Sequence, residues 1–349
     1  MLWLLYTTAK CNLKCKYCGG SWPDIIPEKP VYDVEDLREY LEHVDEEPTI
    51  VFYGGEPLLN PKFIVEVMDN IDATYGIQTN ATLHHLLPPR YWERFYAVLI
   101  SIDGPEDFND ARRGKGTYKK ALELLRKVKD LGVPRPTARM AVDGESDIYR
   151  DVMHLLKVGF KYVHWQLSVD WVERWDVVSW AKRSYLPGIK KLAEDFLNHY
   201  LESGELLGIV PFLGFLKAHR RGWDWVPCGA GKYAYSIITD GTITACPIAP
   251  VEKWAKAGSI YIKEKPKVIP MPDDVPCMKC KYYKYCGGRC LYVLYERFWG
   301  REGFEEICWL TKKTIDTFFE VVGDYVEELS AHPEVEAYDP LKDSTEAVP

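Results

Sequence analysis

The cysteines carry the first chemical signal. Ten occur in 349 residues, in two groups. Cys11, Cys15 and Cys18 follow the pattern C-x3-C-x2-C. The chain then runs to Cys228 without another, and Cys246, Cys277, Cys280, Cys286, Cys290 and Cys308 complete the second group. In a reducing compartment, clustered thiols bind metal more often than they pair as disulfides. Cys277-x2-Cys280 with Cys286-x3-Cys290 could hold zinc in a tetrahedron of four thiolates, which would suit a non-catalytic interaction protein. Zinc gives no reason for a separate N-terminal triplet. Three thiolates on a [4Fe–4S] cube do, because they leave one iron open to an outside ligand.

Such a triplet needs a scaffold, and the hydrophobic pattern supplies one. Leu2 to Thr7 reads as a buried strand running directly into the cysteine loop. Strands follow at Thr49 to Tyr53, Tyr75 to Thr79, Ala97 to Ile102, Arg135 to Val142 and Tyr162 to Leu167. Helices fall between them at Glu35 to Val44, Phe63 to Ile71, Arg90 to Phe95, Thr117 to Leu131 and Asp147 to Val158. Six strands alternating with helices predict parallel βαβ units, which collect ligands at the carboxyl ends of their strands. Trp180 to Leu201, interrupted near Pro187, predicts a helical bridge. From Trp223 the texture turns to short strands, turns and cysteines, and Ala331 to Pro349 reads as an acidic, mobile tail.

Composition bounds the rest. Lys+Arg 44 against Asp+Glu 52 leaves a net charge of −8, which disfavours phosphate-backbone binding, so no nucleic-acid partner is expected. No apolar run reaches the length of a membrane span, and the start lacks a basic signal-peptide region. The expected setting is cytoplasmic.

A second motif, Gly54-Gly55-Glu56-Pro57, closes the second strand. Its glycines permit a close approach to the backbone, and its carboxylate can accept an ammonium group. Cys11-x3-Cys15-x2-Cys18 followed by Gly-Gly-Glu-Pro on these strands resembles the radical S-adenosylmethionine (SAM) enzymes, over residues 1 to about 170. The resemblance implies a partial (β/α)6 barrel, a cluster on Cys11, Cys15 and Cys18, and SAM chelating its open iron with Gly54, Gly55 and Glu56 at the amino end. Ser101 and Arg113, in Ser101-Ile-Asp103-Gly-Pro and its downstream basic segment, are similar to a fourth-strand motif of one branch and would lie near SAM. Arg139, flanked by apolar residues, needs an anion; either the SAM carboxylate or a helix carboxylate would serve. Gln78, Thr79 and Asn80 end the third strand, and His164 and Gln166 share a face of the sixth, with Asp170 beyond. These residues are candidates for lining the pocket.

Cys228-x12-Gly241-x4-Cys246, then Cys277-x2-Cys280-x5-Cys286-x3-Cys290-x17-Cys308, looks like the SPASM extension of radical SAM enzymes that modify peptides and proteins. The fold class is thus α/β: the barrel (residues 1–175), a helical bridge (176–222), a small cysteine-rich α+β SPASM domain (223–325) and the tail (326–349). By that resemblance Cys277, Cys280, Cys286 and Cys308 hold a distal auxiliary cluster, and Cys228, Cys246 and Cys290 a nearer one. Its fourth site is either Asp224 or open to substrate. Three [4Fe–4S] clusters and SAM are therefore the expected cofactors, with a low-potential donor such as a ferredoxin or flavodoxin.

One departure is informative. Relatives that oxidise a sulfatase cysteine or serine carry an aspartate base after the residue matching Cys246, where Pro247 stands here. Asp103, Asp170 and His164 are the remaining acid–base candidates. The expected reaction is oxidation or crosslinking of a peptide or protein side chain, begun by hydrogen abstraction; oxidation or rearrangement of a small molecule is the alternative. The aromatic residues between Trp165 and Trp225 would line a peptide cleft or fill a core. Since no recognition extension precedes Leu2, leader capture is expected to need another protein or the SPASM surface.

Overall fold

The computed structural model describes residues 1–18 and 24–349. Its frame is one ten-stranded sheet. Six parallel strands form the barrel: β1 (Leu2–Thr8), β2 (Thr49–Gly54), β3 (Thr74–Thr79), β4 (Phe95–Ser101), β5 (Arg135–Val142) and β6 (Tyr162–Leu167). They stand side by side in chain order. β1 and β2 are almost wholly buried, as continuous apolar runs in a helix-covered parallel sheet should be.

The crossover helices follow from local chemistry. In α1 (Val34–Val44), Asp33 caps the first turn by accepting from the amide of Asp36 at 3.1 Å. Val34, Leu37, Tyr40, Leu41 and Val44 then bury one stripe. α2 (Pro61–Asn70) begins with a proline, α3 (Pro89–Trp92) is a single turn, and α4 (Glu106–Arg113) and α5 (Thr117–Asp130) both cross between β4 and β5. α6 (Ile148–Lys157) is capped by Asp147. The basic segment after β4 begins as α4, a helix of mostly polar residues that buries Asn109, Arg112 and Arg113.

The bridge is helical, with α7 (Val177–Trp180) and α8 (Leu186–Ser203) joined by a π-helical segment, Ala181–Tyr185. Pro187 lies in the first turn of α8, directly after the π-helical turn, so the helical run passes the proline without ending where the sequence suggested an interruption. β7 (Gly208–Ile209) pairs with β6, and α9 (Val210–Arg221) follows. α9 stacks Phe212 on Phe318 of the helix Gly300–Val322, ring centroids 4.6 Å apart.

The cysteine-rich lobe does not stand apart. β8 (Ala234–Ile237) pairs in parallel with β1, and β9 (Thr242–Thr244) and β10 (Lys256–Ser259) continue as an antiparallel edge. The expected mobile tail is folded as well. Helices Val326–Ser330, Pro333–Ala337 and Pro340–Asp343 pack on the body, and Ala347 and Val348 are buried. Arginines on β5 draw it in: Arg135 pairs with Glu334 at 2.6 Å and with Asp343 at 3.4 Å. No helix among the described residues is long and apolar enough to cross a membrane.

Candidate functional site

The strand ends of β1 to β6 meet the cysteine-rich lobe around one cavity of about 330 Å³. Cys11, Cys15 and Cys18 line it from one side, and Cys228, Cys246 and Cys290 from the other. A second cavity, of about 310 Å³, is lined by Cys277, Cys280, Cys286 and Cys308, and again by Cys290. The C-terminal thiols thus line two spaces, grouped as the SPASM resemblance implies, with Cys290 touching both. Cys15 and the seven C-terminal cysteines are in no disulfide. Among the described residues, no three His, Cys, Asp or Glu side chains converge on a single-ion site.

The Gly-Gly pair serves the cysteine loop itself. A Cβ on Gly54 would fall 2.2 Å from the carbonyl oxygen of Thr8, and one on Gly55 2.1 Å from that of Lys10. Gly55 donates its amide to Thr8 at 3.0 Å and Glu56 to Lys10 at 2.8 Å. The close approach expected of a ligand is made instead by the backbone leading into Cys11. Glu56 is fully buried and also turned inward. It accepts from the Thr79 hydroxyl at 2.7 Å and from the amides of Asn80 (2.8 Å) and Leu58 (3.1 Å). Burial lifts its carboxyl to about 7 against these donors, and Gly54, Gly55 and Glu56 all line the cavity. Through these bonds Glu56 clasps the ends of β2 and β3.

Asn80 ties the same loop from β3. Its side-chain amide donates to Asn12 Oδ1 at 2.9 Å and reaches Cys11 Sγ at 3.9 Å. The amide of Leu13 also points at Cys11 Sγ, 3.4 Å away. Burial raises the Cys11 thiol to about 11 and also raises Cys15, where Arg113 opposes it. Half-buried thiols of this kind fit a cationic cluster, which would deprotonate them.

Tyr17, between the last two cysteines of the triplet, is their buttress. Its hydroxyl donates to Asp103 at 2.7 Å, and the guanidinium carbons of Arg112 and Arg113 lie 4.8 and 5.3 Å from its ring centre. Asp103, with no exposed surface, accepts from Arg113 at 2.8 and 3.0 Å and from the amide of Ala141 at 2.9 Å. It is a fixed anion, not a free base, and Arg113 meets the cavity with its charge already paired. Ser101, Gln78 and Thr79 line the cavity where the sequence placed them.

The anion that Arg139 required is Glu346, from the folded tail. Both carboxylate oxygens take the guanidinium, at 2.6 and 2.9 Å. His164 gives no base either: its Nδ1 faces Arg139 at 3.0 Å and its Nε2 the carbonyl of Glu346 at 2.6 Å. Burial first, and Arg139 next, push its pKa down to about 4, so it stays neutral. Sequence reasoning missed Glu346, although the unpaired arginine demanded a partner; nothing local says which carboxylate answers.

Asp170 is the remaining acid–base candidate. It lines the cavity, and its Oδ1 is buried with no hydrogen-bond partner among the described residues. Burial raises its carboxyl to about 6, with Arg289 opposing. Asp224 does not reach the cavity; it is exposed and held by Lys232 at 2.8 Å and by Tyr233, so it is no ligand for the nearer thiols. The aromatic residues of the bridge are mainly core. Trp165, Trp180 and Tyr185 are buried, and among the described tryptophans only Trp171 lines the cavity.

Residues 5–156 match the Radical SAM superfamily. With the three-thiol loop inside it, this stretch is a radical SAM domain, the domain of enzymes that bind SAM and an iron–sulfur cluster. A cysteine-type anaerobic sulfatase-maturating enzyme of Clostridium perfringens is 26% identical over 335 residues, covering 80% of this chain and 85% of that one. The serine-type enzyme of Bacteroides thetaiotaomicron is 30% identical over 260 residues, 67% of this chain and 59% of its own. Among solved structures, native anSMEcpe with bound AdoMet superposes with a TM-score of 0.75 at 20% identity, covering 95% of this chain and 99% of that one. Streptococcus suis SuiB bound to S-adenosylmethionine gives 0.57 at 14% identity, over 84% and 72%. These likenesses establish the barrel followed by a cysteine-rich lobe.

Proposed function

We propose that this enzyme oxidises or crosslinks a side chain of a peptide or protein. The single observation that carries the reading is the shared cavity, where the SAM-loop thiols face Cys228, Cys246 and Cys290 across one space. Relatives named for sulfatase maturation, and a SuiB structure bound to its precursor peptide, support a peptide substrate. A [4Fe–4S] cluster with SAM supplies a hydrogen-abstracting radical, and two auxiliary clusters supply an electron sink.

The chain's own residues do the rest. Cys11, Cys15 and Cys18 would hold the first cluster; Cys228, Cys246 and Cys290 the nearer auxiliary one; and Cys277, Cys280, Cys286 and Cys308 the distal one. In this reading Ser101, Arg113 and Asn80 shape the SAM side. Asp170 accepts the proton that leaves the oxidised substrate, a role Pro247 cannot take. Burial around the strand ends excludes water from the radical. The division of labour follows residues 1–175 for SAM, 176–222 for the bridging wall and 223–325 for the auxiliary clusters. We place the enzyme in an anaerobic cytoplasm, with a ferredoxin or flavodoxin as donor.

Exchange of Cys15 for alanine tests the reading. Iron in anaerobically reconstituted protein should fall from about twelve to about eight per chain, with 5′-deoxyadenosine formation lost. Retained SAM cleavage, or about two zinc in place of iron, would overturn it.

A further inference from the structure

Residues 344–349 run through the barrel mouth outside any helix or sheet ladder, with a bend at Ala347, and side chains of β6 and the cysteine-rich lobe hold their main chain. His164 and Gln166, two apart on one face of β6, reach the carbonyls of Glu346 (2.6 Å) and Val348 (3.4 Å), also two apart. Both bonds go to main-chain carbonyls, so they ask for no particular side chains in the segment they hold. Arg289, buried on the cysteine-rich lobe, adds a bond to the carbonyl of Pro349 at 2.6 Å.

Two positions read side chains. Arg139 grips the carboxylate of Glu346 with two bonds, a fork that discriminates acids by geometry as well as charge. The next position is closed by Gly214 of α9: a Cβ added there would lie 2.4 Å from that of Ala347, so only a small residue fits against the helix. The segment enters through Ser344, whose φ of +52° is a left-handed conformation that a serine rarely adopts. Ser344, Thr345 and Glu346 line the cavity shared by the two thiol sets.

From this arrangement we propose that the β5–β6 face is a peptide subsite for a segment bearing an acidic residue followed by a small one, and that residues 344–349 occupy it as an internal stand-in which substrate displaces. The inference rests on the peptide-modifying reading and names its substrate class. Main-chain contacts supply affinity, while Arg139 and Gly214 set the register of the segment relative to the SAM-loop thiols.

The test uses anaerobically reconstituted protein and the heptapeptide acetyl-Asp-Ser-Thr-Glu-Ala-Val-Pro carrying a fluorophore. A variant ending at Asp343 should bind it at least about tenfold more tightly than the full chain. Replacing the peptide's Glu by Ala should weaken binding by about 10- to 100-fold, and replacing its Ala by Leu by a similar factor. Should the shortened chain fold poorly, full-length Glu346→Ala takes its place. Hydrogen exchange of the wild-type segment offers a second readout, with amides 345–348 losing protection when unlabelled peptide is added. Equal binding by the full and shortened chains, indifference to the peptide's Glu, or loss of protection on adding SAM alone would each overturn the proposal. The last result would assign Arg139 to the cofactor. Because SAM cleavage is measured separately, failure of peptide binding with 5′-deoxyadenosine formation intact sinks this inference alone, whereas loss of cleavage sinks the reaction class.

Discussion

Gly55→Ala offers a sharp test of why the glycine pair is there. The new methyl would sit 2.1 Å from the Lys10 oxygen and 2.2 Å from its carbon. An ordinary carbon contact is about 3.5 Å, so the overlap is over an ångström. Overpacking against side chains costs about 1–3 kcal/mol because rotamers can give way. Here both partners are backbone, and the strand ladders on either side hold them. Relief would also break the 2.8 Å bond from Glu56 to Lys10, worth about 1 kcal/mol. The expected cost is about 4 kcal/mol. For 349 residues, with an unfolding entropy of about 2 cal/mol/K each, that lowers the melting temperature by about 5 °C. Displacing Cys11 by about 1 Å should also cut SAM cleavage by about a hundredfold. Calorimetry, iron content and 5′-deoxyadenosine yield check each part. If the melting temperature stays unchanged while only the KM for SAM rises, the space belongs to the ligand, and the backbone-clash reasoning is wrong.

Two further substitutions separate structural from chemical roles. Asp103→Asn should cost about 3–5 kcal/mol, since it leaves the buried Arg113 without its anion, while Arg112 keeps Asp143 at 2.7 Å. A protein of unchanged melting temperature that has lost only turnover would instead restore Asp103 as a base. Asp151, with no exposed surface, is raised by burial to about 6, with Arg150 opposing. A carboxyl raised on folding binds its proton more tightly in the folded state. Its contribution is therefore full below pH 4 and falls, by about 3 kcal/mol at most, as pH rises through 6. Asp151→Asn should accordingly shrink the drop in melting temperature between pH 4.5 and 7; an undiminished drop would place its origin elsewhere.

The strands were legible because each is an apolar run bounded by turn residues, and β5 and β6 begin and end where periodicity placed them. The thiol partition was legible through the SPASM resemblance, because cysteine spacing is a one-dimensional record of a three-dimensional ligand set. What escaped was non-local charge pairing. Arg139 announced the need for an anion but not its address, and Glu346 lies 207 residues away. The tail looked mobile because composition weighs its acids as solvent-seeking, whereas Arg135 and Arg139 bury two of its carboxylates. α4 escaped for a related reason: its buried face is polar, so a search for apolar stripes passes over it. The role of Gly54 and Gly55 was half legible, since tight approach was readable but the approaching chain was not.

The pairing of β8 with β1 leaves the strand that carries the first cysteine loop without an open side. Cutting the polypeptide after residue 222 would uncover a row of unsatisfied amides and carbonyls along that strand, inviting intermolecular stacking. The N-terminal half should thus resist production as a soluble piece, and any tilt of the C-terminal lobe would be felt at Cys11 through a shared ladder rather than across a hinge.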